Sequence, residues 1–139
     1  MTEASIEAFT RAHLDGLIAL VAAEGWGEYA EDRERTYRAL TAPGATTLVA
    51  MVGGRVAGAI QVQSDGLIQA HVSLLLIDRD RRGAGLGSRL LREGLARAGG
   101  LHLDIRTRTE GYYERLGASR SLGFRITRED LGLGGADAG

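Results

Sequence analysis

Apolar side chains recur along the chain at two spacings, one typical of helices and one typical of strands. Near the N-terminus they fall three or four residues apart, at Leu14, Leu17, Ile18 and Val21. This spacing predicts a helix that follows an N-cap at Thr10 and ends at Gly25. A strand over residues 5–9 precedes this helix, and a second helix over 29–40 ends before Pro43 and Gly44.

From residue 47 to residue 77 the pattern changes to β-rich runs separated by turn signals. The runs 47–52 and 55–63 flank Gly53-Gly54, a pair suited to the positive φ angles of a tight hairpin. Asp65-Gly66 is a second turn signal, and an increasingly apolar run over 67–77 follows it. We therefore predict three consecutive antiparallel strands.

A charged loop and a glycine cluster separate the third of these strands from an amphipathic helix. Residues 78–82 are charged, residues 83–87 are rich in glycine, and apolar positions within 88–98 recur at helical spacing. Apolar and polar side chains then alternate over 101–106, as in a strand with one exposed face. We also predict a short helix over 110–116, a strand over 123–127 and a frayed tail over 132–139.

Composition narrows the possible functions of the chain. Its 139 residues favour a single domain over residues 1–139, and 44% hydrophobic with 25% charged residues is typical of a globular protein. The chain has no cysteine, three scattered histidines and no lysine among its 17 basic residues. Disulfides, thiolate zinc sites, cysteine nucleophiles, Schiff bases and the P-loop lysine are therefore excluded, and we expect no bound metal.

The overall charge and hydropathy predict where the protein acts. The net charge of −1 argues against a nucleic-acid partner, because an anion would need a local binding site. No run reaches the roughly 18 apolar residues that span a membrane, so we expect no membrane association and a cytoplasmic location.

The segment Arg82 to Ser88 lies where a strand ends and a helix begins. Unpaired amides and the helix dipole meet there, and this combination attracts phosphate. Glycines allow the backbone to approach the phosphate oxygens closely, and Arg81 and Arg82 add positive charge. A flexible loop that binds nothing is the structural alternative.

Arg82, Gly85 and Gly87 match the signature Arg/Gln-x-x-Gly-x-Gly/Ala, and the loop therefore resembles that of the GNAT superfamily of N-acetyltransferases. The resemblance implies an α+β fold: a mixed, mostly antiparallel sheet flanked by helices, with a β-loop-α-β unit that binds acetyl-CoA. It assigns the coenzyme pyrophosphate to the loop amides of Gly83, Ala84, Gly85, Leu86, Gly87 and Ser88. It assigns the pantetheine arm to the strand edge formed by Leu75, Leu76 and Ile77.

A second segment extends the resemblance. Residues 113–117 are similar to the Tyr-x-x-x-Gly segment of the family, which implies that Tyr113 protonates the departing thiolate. An aromatic side chain that only packs is the alternative for Tyr113, and we assign packing to Tyr112. The resemblance also suggests that a backbone N–H near Ile77 stabilises the developing oxyanion.

The general base and the acceptor are harder to assign from the sequence. Asp104, His71 and Glu110 are candidate bases, with water as the alternative. Trp26 and Glu28 lie between the first two helices, where the family shapes its acceptor pocket, and we include them with Asp104 as candidate acceptor-binding residues. Trp26 could instead only cap the core. The acceptor is expected to be a small-molecule or peptide amine, and the protein a monomer or a homodimer.

Two other functions fit parts of the sequence. Asp104 lies 19 residues after Gly85, close to the distance of the ribose-binding acid in dinucleotide-binding enzymes. However, the glycines read Gly-x-Gly-x-Gly, and the hairpins upstream contradict a parallel sheet. A non-catalytic acyl-CoA sensor is the other alternative, and it predicts coenzyme binding without turnover.

Overall fold

The computed structural model describes residues 3–107, 109 and 111–135. The chain divides into two compact units, with the boundary between Ile105 and Arg106. The first unit contains a five-stranded sheet with helices on both faces, and the second contains one short helix. The prediction of a single domain over 1–139 remains a prediction.

The sheet has the order β1-β2-β3-β4-β5. The first four strands pair antiparallel with their neighbours, whereas β5 runs parallel to β4. The bounds are β1 Ser5–Ala8, β2 Ala45–Val52, β3 Arg55–Ser64, β4 Gln69–Ile77 and β5 His102–Ile105. The predicted antiparallel meander and the mixed α+β sheet are confirmed, and the doubly wound parallel sheet of a dinucleotide-binding enzyme is absent from the described residues.

The turn before β4 shortens the predicted strand. The carboxylate of Asp65 accepts hydrogen bonds from the amides of Leu67 and Ile68, both at 2.8 Å. These two amides are therefore used in the turn, and β4 begins at Gln69 instead of Leu67.

The helices of the first unit follow the predicted pattern with two differences. Their bounds are α1 Leu14–Ala23, α2 Gly27–Ala30, α3 Arg33–Leu40 and α4 Leu86–Ala98. A 3₁₀ turn separates Thr10 from α1, so Thr10 does not cap the α-helix directly. The predicted helix 29–40 divides at Asp32, which is extended and whose carboxylate accepts the Arg35 amide at 3.0 Å. Because Asp32 is extended and caps α3, the chain cannot continue as one helix from α2 into α3.

Two apolar layers hold the sheet between the helices. On one face, α1 and α3 pack against β2, β3 and the end of β4, with Leu17, Val21 and Leu40 almost fully buried. On the other face, α4 packs through Leu86 and Leu90 against Ile60. The C-terminal end of β4 thus leads from a buried sheet directly into the loop before α4.

The second unit begins at Arg106 and contains α5, Tyr112–Arg115. The predicted strand over 123–127 is wrong: the structure shows neither helix nor strand there. A strand needs a partner for its backbone hydrogen bonds, and the described residues of this unit contain no second strand. In the predicted tail, the Gly132 amide donates to Glu129 in a turn at 2.9 Å, and residues 136–139 lie outside the described chain.

Candidate functional site

A β-bulge in β4 opens one edge of the strand. Gln61 faces Leu74 and Val62 faces Val72, so Ser73 is an extra residue opposite β3. The pairing of β4 with β5 ends at the same position, because Val72 and Ile105 form the last pair. A bulge bends its strand and ends regular pairing. Beyond Val72, the described residues provide no strand partner for the edge of β4 that faces β5.

The antiparallel pairing with β3 determines which peptide groups face this open edge. The Asp78 amide donates to the Ala57 carbonyl at 2.8 Å, and hydrogen-bonded pairs alternate along an antiparallel ladder. The peptide groups of Leu74 and Leu76 therefore point toward β3, and those of Leu75 and Ile77 point toward the open edge. Of the three predicted pantetheine-binding residues, Leu75 and Ile77 have their peptide groups at the open edge, whereas Leu76 packs its side chain among the residues under α1.

A buried polar network holds the bulge. The side chain of Gln61 is buried, with the residue 4% exposed, and its Nε2 donates to the Ala39 carbonyl at 2.8 Å. Its Oε1 accepts the Ser73 hydroxyl at 2.6 Å. One amide thus connects the end of α3 to the bulged residue. Sequence analysis missed Gln61 and Ser73, although a glutamine inside an apolar strand run is a signal for a buried hydrogen bond.

The glycine loop, residues 83–87, follows β4 after five residues that include a 3₁₀ turn at Arg79–Arg81. Gly83 and Gly85 have φ angles of +85° and +81°, which side chains rarely adopt. Gly85 is the N-cap of α4, which has 13 residues and no acidic side chain in its first turn. The amides of Leu86 and Gly87 therefore lie at the positive end of a helix dipole, next to the predicted loop residues Gly83 and Ala84. The other predicted residue, Ser88, follows them in the same turn.

Arg82 points back toward β4. Its Nε donates to the Ile77 carbonyl at 3.1 Å, and its Nη2 donates to Glu24 Oε1 at 2.8 Å. Glu24 is the C-cap of α1, and its side chain is only 17% exposed. The structure thus places the predicted coenzyme-binding arginine on a carboxylate of α1, a partner that the sequence pattern did not indicate.

The candidate acceptor residues of the first unit lie in different surroundings. Trp26 is half-buried, packs against the apolar layer under α1 and meets Tyr29 at a ring-centroid distance of 6.0 Å. Glu28 is exposed. One part of the Trp26 side chain therefore packs against the core, and the rest is accessible to a ligand.

The structure brings together two of the three candidate bases. His71 and Asp104 are register partners in the β4–β5 pair and are both exposed. Their neighbours Ala70, Val72 and Leu103 pack on the α4 side, so strand alternation places His71 and Asp104 on the opposite face. The two side chains lie beside the point where the strands separate. Glu110, the third candidate, lies outside the described residues.

A cleft of about 700 Å³ lies between α1, the β2–β3 turn and the segment after β4. Its walls carry both signs of charge, through Glu24, Asp78, Asp80, Arg55 and Arg79. None of the predicted acceptor residues lines it.

In the described part of the chain, no group of three histidine or acidic side chains could hold a metal ion. None of the described helices has the length and apolar content needed to cross a membrane.

Tyr113 lies in the second unit, on α5. Its ring meets that of Tyr112 edge-on at 4.9 Å. Burial, with a smaller contribution from Tyr112, raises the pKa of Tyr113 above its usual value. The helix begins where Glu114 Oε2 accepts the Gly111 amide at 2.6 Å. Tyr113 therefore keeps its proton at neutral pH and can act as an acid.

The chain is similar to known proteins in sequence and in fold. Residues 7–128 match the family model of the GNAT acetyltransferase domain. A crystal structure described as that of an acetyltransferase from Deinococcus radiodurans R1 is 27% identical with a TM-score of 0.71, over 99% of this chain and 100% of that chain. No curated protein sequence matches significantly.

Two further structures share the fold at lower identity. A GNAT family acetyltransferase from Streptococcus pneumoniae TIGR4 is 23% identical with a TM-score of 0.72, over 91% of this chain and 99% of that chain. AAC(6')-Iy, in complex with the bisubstrate analogue CoA-S-monomethyl-acetylneamine, is 14% identical with a TM-score of 0.69, over 91% and 99% of the two chains. With the family match covering most of the chain, the protein belongs to the GNAT family and is an acetyltransferase.

Proposed function

We propose that this protein transfers the acetyl group of acetyl-CoA to a primary amine. The observation that carries the proposal is the open edge of β4, which is followed, after residues 78–82, by the glycine loop at the start of α4. A GNAT chain with this arrangement offers peptide groups for an amide-containing arm and helix N-terminal amides for a pyrophosphate, in consecutive segments.

In this proposal the coenzyme is bound mainly by the backbone. The peptide group of Leu75 and the amide of Ile77, whose carbonyl accepts from Arg82, bind the pantetheine arm as an added strand would bind to a sheet edge. The amides from Gly83 through Ser88 bind the pyrophosphate. No side chain at Gly83 or Gly85 blocks the approach, since the space where a Cβ would lie is open at both positions.

The chemical step is acyl transfer. The neutral amine attacks the thioester carbonyl carbon, a C–N bond forms, and the C–S bond breaks. A backbone N–H of the open edge near Ile77 stabilises the oxyanion. Tyr113 gives its proton to the departing thiolate, and this proton is present at neutral pH because the pKa of Tyr113 lies above the usual tyrosine value of about 10. The amine proton leaves to water or to a base, for which His71 and Asp104 are the described candidates.

We further propose that Trp26, Glu28 and Asp104 take part in binding the acceptor. An accessible part of an indole together with carboxylates suits an amine that carries positive charge before it reacts. The CoA-linked amine bound by AAC(6')-Iy supports an amine acceptor of this general class. Both a small-molecule amine and a peptide amine remain within the proposal.

A free-thiol release assay tests the proposal. Purified protein, acetyl-CoA and a panel of small-molecule amines, amino acids and peptide N-termini should give amine-dependent release of CoA. Calorimetry should show binding of CoA and no binding of NAD. CoA binding without turnover on a broad panel would instead identify a non-catalytic acyl-CoA sensor, and failure to bind CoA would contradict the proposal altogether.

A further inference from the structure

We propose that Glu24 and Arg82 form a clasp that positions the end of β4 for the coenzyme, so that Arg82 acts through the protein and not on the pyrophosphate. The clasp is the ion pair of Arg82 with Glu24, together with the hydrogen bond from Arg82 to the Ile77 carbonyl. This inference rests on the proposed function, because it concerns the same coenzyme site.

The geometry uses two donors of the guanidinium. Nε lies 3.1 Å from the Ile77 carbonyl oxygen, and Nη2 lies 2.8 Å from Glu24 Oε1. A planar guanidinium with donors in a fixed fork can bind two such acceptors at once, and a lysine ammonium does not reproduce this geometry. Arg82 therefore joins the C-terminal end of α1 to the last peptide of β4.

The position of Ile77 gives the clasp its function. Its peptide group points toward the open edge of β4, and the chain enters the glycine loop a few residues later. Along the open edge β4 has no strand partner among the described residues, so Arg82 supplies a hydrogen bond that a neighbouring strand would otherwise supply. The clasp thus holds the strand edge in a fixed orientation relative to the loop that follows it.

Charge argues against a direct role of Arg82 on phosphate. Glu24 is largely buried and already neutralises the guanidinium, and Arg79 Nε lies 4.0 Å from the same carboxylate oxygen. Moving Arg82 to a pyrophosphate would leave the Ile77 carbonyl without this donor and would weaken the pairing of Glu24. Arg81, whose side chain has no ion-pair partner among the described residues, is the better source of charge for the loop.

The two roles of Arg82 predict opposite effects of removing Glu24. If Glu24 only competes with pyrophosphate for Arg82, then Glu24→Ala frees the arginine and coenzyme affinity rises. If the clasp positions Ile77, then Glu24→Ala lowers the affinity for CoA by about 2- to 5-fold, as expected for the loss of a partly exposed ion pair. Arg82→Lys, which keeps the charge without the fork, should lower the affinity to a similar extent.

The test measures CoA affinity by calorimetry and kcat/KM with two acetyl donors, acetyl-CoA and acetyl-pantetheine, for the wild-type protein, Glu24→Ala, Glu24→Gln and Arg82→Lys. Acetyl-pantetheine lacks the pyrophosphate, so a residue that acts only on phosphate has no effect with this donor. The clasp predicts a similar fold-loss with both donors, and a milder loss for Glu24→Gln because its amide oxygen still accepts a hydrogen bond.

Glu34→Ala is the matched control, because it breaks another ion pair, that of Arg11 with Glu34 at 2.7 Å, away from β4. It should leave CoA affinity and both kcat/KM values unchanged. Tighter or unchanged CoA binding in Glu24→Ala, or a loss in Arg82→Lys confined to acetyl-CoA, overturns the clasp and leaves the proposed function intact. Wild-type protein that binds no CoA overturns the proposed function and the clasp with it.

Discussion

The two units of this chain contribute to the proposed reaction in different ways. In the first unit, the coenzyme site is built from backbone groups, on an open strand edge and at the start of a 13-residue helix. In the second unit, the proposed contribution is one side-chain hydroxyl on a four-residue helix. A backbone site depends on chain conformation and tolerates many side chains, whereas the side-chain site depends on one residue. Substitutions should therefore affect the two units differently.

The largest expected effect follows from blocking the backbone site. Gly85→Val places a branched side chain where φ is +81° and where the pyrophosphate is proposed to bind. CoA affinity should fall by about 100-fold or more, since a side chain and a coenzyme phosphate cannot share this space. Calorimetry on protein shown to be folded by circular dichroism measures the change.

Gly54→Val is the matched control for Gly85→Val. Gly54 also has a positive φ, +77°, and open space around the position of a Cβ, but it lies in the β2–β3 turn. Both variants should lose about 1–3 kcal/mol of stability from backbone strain. Only Gly85→Val should lose CoA affinity. An equal loss in both variants would show that strain, not the loop, is responsible.

The side-chain site of the second unit is tested by Tyr113→Phe. The change removes one hydroxyl and keeps the ring, so CoA affinity should hardly change while kcat falls by about 100-fold. Because burial raises the pKa of Tyr113 above the usual value of about 10, the acid should stay active throughout the neutral range. Steady-state kinetics at saturating substrate measure the effect.

Tyr112→Phe is the control for Tyr113→Phe, because the two rings are in edge-on contact and only one is proposed as the acid. It should leave kcat nearly unchanged. If Tyr112→Phe carries the loss instead, the residue assignment is wrong by one position. If neither variant changes kcat, the thiolate takes its proton from water.

The buried Gln61–Ser73 hydrogen bond at the β4 bulge should contribute to stability, and its loss should have a smaller effect. Gln61→Leu leaves the Ala39 carbonyl without its donor and the Ser73 hydroxyl with only the Gln61 backbone carbonyl at 3.5 Å, which should cost about 1–3 kcal/mol of stability. Thermal or chemical unfolding measures this loss. The double variant Gln61→Leu/Ser73→Ala should lose less than the sum of the single variants, because both remove the same contact. Strict additivity would mean that Ser73 does not depend on Gln61.

The smallest effect concerns the turn before β4, away from either site. Hydrogen bonds from the amides of Ile68 and Leu67 lower the pKa of Asp65 in the folded protein. Its contribution to stability is therefore present above the usual pKa of about 3.9 and is lost as the pH falls through the lower folded-state value. Asp65→Asn should lower Tm slightly at pH 6 and make no difference well below pH 3. A Tm difference that persists at low pH would contradict this assignment.

Much of the first unit was predictable from local patterns. The turns Gly53-Gly54 and Asp65-Gly66 mark the three antiparallel strands, and the cluster 83–87 marks the start of α4. These features depend on residues close in the chain, where glycine φ angles, capping and hydrophobic periodicity decide the structure. The predicted helix 29–40 shows the limit of local patterns. Its periodicity did not reveal that Asp32 caps α3 and thereby separates α3 from α2.

Long-range pairing accounts for what the sequence missed. The strand predicted at 123–127 does not form, although its residues have strand propensity, because the described part of that unit offers no strand to pair with. The bulge at Ser73 is equally invisible in a local pattern, because a bulge is defined by its register against β3. Propensity describes a segment, whereas pairing requires a second one.

By itself, the sequence determined the class of chemistry: the signature at 82–87, the segment 113–117 and the element order resemble a GNAT acetyltransferase, and the absence of cysteine and lysine excluded thiolate and Schiff-base chemistry. Tertiary structure alone decided which groups could act. It brought His71 opposite Asp104, turned the peptide groups of Leu75 and Ile77 toward an open edge, and paired Arg82 with Glu24, 58 residues away. The physical reason is that glycine conformation and helix dipoles act within a few residues, whereas strand register and ion pairs between distant segments exist only after the chain has folded.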